Sequence, residues 1–471
     1  MKKIKLKNKS IYFLLLAVSF LIIILLAGSS CSKTSNKTTG QTGNNTISPQ
    51  SESNTDTTLA EAKSENSISI WDSCQPKERI FLMESINNFT KLNPGLSIDT
   101  KHFRSEEELV DVFSASSLAG AGPEIVLVGF DSMKKLAQKY IVKDLSDEIN
   151  YNIFLPGLVE LSSFDGKKYI IPFSSSDFLI FYYNKDLIKE IPSNFDDVVA
   201  LSKEYLNSKD QKYGFLFNGT EPDWVVPFIG GYLDWFYEYD SGSINLNSSA
   251  MEKTLNFINN VYNIDKILPA NIGYEDMNNL FKSGKAAMFI NGVGAVNEYK
   301  EAGLNFGVAK IPRNTDGVTN PTPMISGLGF MVNNNSSGNS FETAKKFIEY
   351  MVSPDTQTSW TLNTSSYPAI TGLEKDKLSN DDIIYNILLQ AKICRGEPPE
   401  EDLRLIRDVM KLNIESIISG NISPADAKEK MQEDIIKLES GEIKVEDYST
   451  TTSLSKNQNT SGKENATTTT K

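Results

Sequence analysis

Between residues 67 and 140, short apolar runs alternate with amphipathic stripes, and this alternation restricts the fold more than any other feature of the chain. Residues 67–71 (SISIW) read as an extended run. Ile80, Met83, Ile86 and Phe89 then recur at helical spacing and predict a helix over 77–92, stopped by Asn93-Pro94-Gly95. Residues 96–98 resume a strand, 107–119 are helical by spacing, and Gly122-Pro123 turns the chain into the apolar run 124–128 (EIVLV). A further helical stripe covers 131–140. Strand-helix-strand-helix order predicts an α/β fold with a mostly parallel sheet and helices on its faces. Later signals continue the theme: strands at 178–183 (FLIFYY) and 286–290, and amphipathic helices at 194–207 and 250–263.

The flanks cannot belong to that core. MKKIKLKNKS is a cationic head, residues 11–27 are apolar but for Tyr12 and Ser19, and Gly28-Ser29-Ser30 precede Cys31. A charged head, an apolar segment and small residues describe an export signal. The cysteine directly after them resembles a bacterial lipoprotein lipobox, with Gly28 where that pattern prefers leucine. The resemblance implies removal of residues 1–30 and lipidation of Cys31, with palmitate among its acyl chains; an uncleaved membrane anchor is the alternative. Of residues 32–66, 23 are Ser, Thr, Asn, Gln or Gly, too little apolar surface to offset ordering entropy, so 31–66 read as a disordered tether. Residues 448–471 read as a disordered tail for the same reason.

Composition removes several functions. The chain has 471 residues and a formal net charge of −13, and its first 30 residues hold five lysines and no acid, so the body is more acidic still. That balance excludes nucleic acid as a partner, since such binding rests on Lys and Arg neutralising phosphates. His102 is the sole histidine, so two-histidine zinc motifs cannot be built. Cys31, Cys74 and Cys394 are too sparse for a disulfide scaffold or a CxxC site, although Cys74 and Cys394 are free to pair outside the cytoplasm. Gly-Lys at 166–167 and 284–285 lacks the pattern of a phosphate loop. No cofactor and no metal is expected, and no enzymatic activity.

Six collinear segments carry a family resemblance. SISIWDS, NFTKLNPGLSIDT, GPEIVLVGFDSMKKLAQKYIVKDLSD, GKKYIIPFSSSDFLIFYYNKDLI, FKSGKAAMFINGVGAV with LNFGVAKIPR, and AKKFIEYMVSPDTQTSW followed by SSYPA are similar, in order, to the extracellular solute-binding proteins of ABC importers, in the branch of the maltose- and oligosaccharide-binding proteins. They span about residues 67–440. The resemblance implies the two-lobed periplasmic-binding-protein (Venus-flytrap) α/β fold with multiple hinge crossings. Lobe 1 is then 67–175 with 327–372, and lobe 2 is 178–322 with 375–447. Hinge closure around a solute follows, because a ligand that touches both lobes stabilises the closed state by its differential affinity.

The resemblance also nominates residues. Glu221-Pro222-Asp223-Trp224 is similar to the family's Glu-Pro-aromatic-aromatic ligand segment, with Asp223 in place of the first aromatic. Trp71 and Ser73 end the first strand near the implied cleft. Asp131 matches a sugar-binding aspartate, and Ser175, Ser176 and Asp177 occupy the first crossing. Gly294 stands where a stacking tryptophan is expected, Val128 where another is, and Arg407 lies on a helix that carries aromatics in maltodextrin binders. Ser326 and Gly327 mark the second crossing, where a hinge uses permissive dihedrals or a tight turn enters a strand. Plainer roles stay open: Trp71 as lobe packing, Trp235 within the aromatic run 232–239 as packing, Trp360 as core, Arg404 and Arg407 as solvated, His102 as structural or exposed.

The function implied is a membrane-anchored receptor, monomeric, that captures a small solute, a sugar or oligosaccharide, and delivers it to the membrane subunits of an ABC permease. Its location is the outer face of the cell membrane. Two other classes compete: a secreted carbohydrate-active hydrolase using two carboxylates, and a sensory or adhesive surface lipoprotein.

Overall fold

A computed structural model describes residues 67–206, 212–268, 272–375, 377–444 and Tyr448, all within one compact unit. The export leader, Cys31, the tether and the tail beyond Tyr448 lie outside the described residues.

The first half of one lobe follows the periodicity. Strand β1 (Ser67–Asp72), helix α1 (Pro76–Leu92), β2 (Ser97–His102), α2 (Glu106–Leu118), β3 (Ile125–Gly129) and α3 (Asp131–Gln138) succeed one another, and β1 pairs in parallel with both β2 and β3. Helix α1 starts where Gln75 and Glu78 exchange capping bonds ahead of Pro76. Its buried face is Phe81, Leu82, Ser85, Ile86 and Phe89. The stripe read from the sequence holds in its second half, at Ile86 and Phe89, and fails in its first: Ile80 and Met83 are exposed, and Phe81 and Leu82 take the core positions.

The sheet is mixed, not mostly parallel. After a short helix α4 (Pro156–Glu160), strand β4 (Ile171–Ser176) joins, and the long β9 (Met324–Val332) lies between β4 and β3, antiparallel to both. The order is β10-β4-β9-β3-β1-β2, where β10 is Tyr367–Pro368 and the two-residue β11 (Arg395–Gly396) pairs with the start of β9. The cause is connectivity: β1, β2 and β3 are joined by the helical crossovers α1 and α2 and run parallel, whereas β9 re-enters from the other sheet and can run either way.

The second sheet has four strands in the order β8-β5-β7-β6: β5 (Leu179–Asn184), β6 (Tyr213–Leu216), β7 (Ala286–Gly292) and β8 (Phe306–Ala309). Helix α5 (Phe195–Leu206) covers β6. The short α6 (Pro222–Val225), α7 (Ser249–Asn259), α8 (Tyr274–Lys282) and α9 (Ala295–Glu301) follow in order. Asp177-Phe178 alone joins the two sheets between β4 and β5, and residues 310–323 return the chain from β8 to β9. The late helices divide between the cores. Helix α10 (Gly338–Met351) and α11 (Pro354–Thr364) cover the seven-stranded sheet. Helix α12 (Asp382–Ala391) packs on β8, and α13 (Glu400–Ile418) and α14 (Pro424–Glu439) pack on α7.

Each sheet has its own aromatic core. Trp360 of α11 is fully buried, 5.4 Å from Phe81 and 4.6 Å from Phe173. Phe195, Phe215, Phe217, Phe228 and Phe257 form the other cluster through edge-on and tilted contacts. Cys74 and Cys394 are both buried free thiols, so no disulfide joins them. His102 is held by the buried Asp72, with Nδ1 2.8 Å from Oδ1.

Gly327 lies inside β9, paired with Ser175, and not in a turn. Its glycine identity answers a close approach: a Cβ there would stand 2.0 Å from the Ser174 carbonyl oxygen.

Candidate functional site

A cavity of about 540 Å3 opens where the link between the sheets meets helix termini of the four-stranded side. Its wall draws Asp177 from the β4–β5 link, Asp223 and Trp224 from α6, Tyr274 from the first turn of α8, and Gly294 after β7. Glu397, just past β11, and Arg407 of α13 close it. Segments far apart in sequence converge here because strands β4 and β7 both end at this rim, the usual position for a ligand in an open α/β sheet.

Local sequence explains each placement. Pro222 starts α6 because its missing N–H is not needed in the first turn. Trp224 donates its Nε1–H to the Ile290 carbonyl at 3.2 Å, which leaves its ring as the surface it offers, 5.9 Å from that of Tyr274. Tyr274 in turn donates to Asn291 Oδ1 at 3.1 Å. Asp177 adopts a left-handed φ of 61°, a conformation aspartate tolerates better than most residues, and accepts a bond from the Ser176 hydroxyl. Gly294 leaves open space: a Cβ there would meet nothing within 4 Å. It widens the cavity instead of supplying a contact.

Electrostatically the site is a set of carboxylates around one guanidinium. Arg407 Nε donates to Asp223 Oδ1 and Oδ2 at 2.9 and 3.1 Å, one terminal nitrogen to Glu397 at 3.1 Å, and the other to Glu400 at 3.0 Å. These partners stabilise the charged guanidinium and outweigh its burial, raising its pKa. Burial, then the nearby Asp131 charge, push Glu397 up to about 7, with Arg407 opposing. Burial of the Asp131 carboxyl, followed by repulsion from Glu106 and Glu400, raises that group as well.

Asp131 lines a second, larger cavity of about 1370 Å3 that shares Glu397 with the first. There Arg395 lies 5.3 Å from the Trp235 ring and 5.6 Å from that of Tyr239, and its Nε pairs with Glu160 at 2.6 Å. Tyr239 donates to the Gly396 carbonyl, and Gly396 N–H donates to Glu160 at 2.8 Å. This ties α4 to the segment 235–239 through β11.

Of the residues nominated from the sequence, Asp177, Asp223, Trp224, Gly294 and Arg407 meet in the smaller cavity and Asp131 in the larger. Glu221 stands at the N-cap position of α6 without a side-chain capping bond and pairs with Lys411 of α13. Trp71, Ser73, Ser175 and Ser176 line neither cavity. Trp71 packs 5.3 Å from Phe103 under Lys101, and the buried Ser175 hydroxyl donates to the Pro368 carbonyl at 2.9 Å, holding β10 to β4. Trp235 is buried in packing, with Nε1 bonded to Tyr239. Arg407 is not merely solvated. Glu397 and Tyr274 were not nominated; the available signal for Glu397 was Gly396-Glu397-Pro398-Pro399, which sets a carboxylate in a rigid turn.

Residues 84–385 match the family of bacterial extracellular solute-binding proteins. The maltodextrin-binding protein MdxE of Bacillus subtilis is 27% identical over 278 residues, 57% of this chain and 66% of that protein, so the match spans just under two thirds of that relative. The maltotriose-binding protein of Pyrococcus abyssi is 22% identical over 68% of this chain and 70% of that protein. Among solved structures, the MalE domain of Bdellovibrio bacteriovorus bound to maltotriose is similar with a TM-score of 0.56 at 28% identity, covering 79% of this chain and 99% of that one. A cyclo/maltodextrin-binding protein complexed with maltotetraose shares the fold with a TM-score of 0.69 at 20% identity, over 80% of this chain and 98% of that one. The two sheets, the crossing at Asp177-Phe178 and the cavity beside it are thus the two-lobed periplasmic-binding fold, and the chain belongs to the bacterial extracellular solute-binding proteins.

Proposed function

We propose that this protein is the receptor of an ABC importer, anchored at the outer face of the cell membrane through lipidated Cys31, and that it captures a sugar or oligosaccharide between its lobes for delivery to the permease. One observation carries the reading: a single cavity joins the crossing residue Asp177 to an aromatic wall, Trp224 and Tyr274, and to the Arg407 carboxylate hub. Sugars present apolar CH faces and polar edges, and an aromatic wall beside carboxylates matches both. Relatives named for maltodextrin, maltotriose and galactooligosaccharide support a saccharide. The lobes are 67–175 with 327–372 and 178–322 with 375–447, except that β11 within the last range pairs with β9 and belongs with the first lobe, and Ser326-Gly327 with Asp177 form the hinge. Asp177, Asp223, Trp224 and Arg407 contact the ligand, with Glu221 and Asp131 at its margins.

The test is a thermal-shift screen of the full chain in detergent against malto-, galacto- and amino-oligosaccharides, because mass action raises the melting temperature only for ligands of the native state. Stabilisation without turnover is expected, lost in Trp224→Ala. No response to any saccharide would overturn the reading.

A further inference from the structure

The charge on the cavity wall is in excess of what the protein itself neutralises. Asp177, Asp223, Glu298 and Glu397 face it from four elements, and Arg407 is the one cation on the same wall. Glu298 is met from outside by Lys282 at 2.6 Å. The guanidinium of Arg407 is already divided among Asp223, Glu397 and Glu400. Among the described residues Asp177 has the Ser176 hydroxyl beside it and no cationic partner. Asp131 lies close enough to Glu397 to add negative potential there.

We propose that the preferred solute is a saccharide carrying a protonated amine, seated with a ring on Trp224 and its ammonium between Asp177 and Glu397. This rests on the sugar-receptor reading above and goes further by naming the charge of the ligand. Two independent features of the cavity support it. The first concerns closure. A neutral sugar bonds carboxylates through its hydroxyls but leaves their charge in place, so bringing the lobes together over Asp177, which has no cationic partner among the described residues, desolvates an unpaired anion. An ammonium removes that penalty by pairing. The second concerns the aromatic wall. The Trp224 N–H and the Tyr274 O–H are both spent on protein acceptors, which leaves ring faces, whose negative quadrupole attracts a cation as readily as it stacks on a sugar face. The empty Cβ positions of Gly292 and Gly294 leave room for the ring that would stack there.

Titration calorimetry on the full chain in detergent, near pH 7 and at low salt, tests it with matched pairs. The probes are the glucosamine trimer against its N-acetylated form, and 6-amino-6-deoxymaltotriose against maltotriose, with spermidine as a cation that is not a sugar. In at least one pair the amine is expected to bind about tenfold tighter or more, and the gap to narrow toward unity in about 0.5 M salt. Asp177→Asn, at a ligand-contacting side chain, is expected to weaken both partners of a pair but the amine by several-fold more, so that the gap narrows; an unchanged gap would count against the ammonium seat. Binding to the amine also ionises Glu397, so a fraction of a proton is released, read as a dependence of the heat on buffer. Neutral partners binding as tightly as their amines in both pairs would overturn the charge preference and leave the sugar receptor standing. Spermidine binding with no saccharide binding, or no binding by any probe, would overturn both.

Discussion

Arg407 and Glu397 show how one pair of side chains sets the chemistry of the cleft. Removing the guanidinium strands three carboxylates that now share it. Arg407→Met is therefore expected to lower unfolding free energy in urea by about 1–3 kcal/mol, the usual cost of leaving charged partners unmet, and to abolish ligand binding. Glu397 works in the opposite sense. Its folded pKa of about 7 lies above the ordinary carboxyl value of 4.5, so the native state holds a proton that the unfolded chain has released. Its contribution is a penalty, absent below about pH 4.5, growing as pH rises through 7 and fully present above it. Glu397→Gln is expected to be at least as stable as the parent at pH 8 and to lose up to one proton of linkage between pH 5 and 8, measured as the pH dependence of urea unfolding. A parent and variant with the same pH profile would remove Glu397 as the source. Arg407 is nominated through the resemblance, by its helix, but its carboxylate partners and Glu397 are not legible in the sequence: the three partners are separated from it by 7, 10 and 184 positions.

At the scale of elements, periodicity located the helices well and their buried faces less well. Helix α1 was legible in extent, yet its core face is Phe81, Leu82, Ser85, Ile86 and Phe89, since α11 packs on that side. Apolar spacing alone does not say which of two overlapping stripes finds a neighbour. Trp360 is the converse case, expected in the core and fully buried there. Trp360→Ala is expected to cost about 3–5 kcal/mol of stability by calorimetry, whereas Trp224→Ala, at a half-buried wall, is expected to cost far less and to lose binding instead. Gly327 belongs to this scale too. A methyl group placed 2.0 Å from Ser174 oxygen must part β9 from β4, so Gly327→Ala is expected to destabilise by roughly 2 kcal/mol. Wild-type stability in that variant would show that the strands separate freely at the crossing.

For the whole molecule, the proposed receptor requires the two lobes to move relative to one another about Asp177-Phe178 and residues 310–323. Cys74 and Cys394 are buried, so exposed sites accept labels selectively. Spin labels at Leu118→Cys, beside the seven-stranded sheet, and Ile264→Cys, beside the four-stranded one, are both on exposed side chains. Saturating ligand is expected to shift the interlabel distance by more than about 2 Å. An unchanged distance at saturation would argue against hinge closure.

Reading the chain alone was enough for its α/β character and for the order of segments that marks the family. These are local properties: periodicity, turn residues and composition act over a handful of neighbours. Folding in three dimensions decided that the sheets are mixed, that Ser175 serves a strand junction, and that Glu397 and Tyr274 share a wall with Asp177, Asp223, Trp224 and Arg407. A carboxylate's charge, a guanidinium's partners and a ring's free face depend on what packs beside them, and those neighbours come from elements up to two hundred residues away.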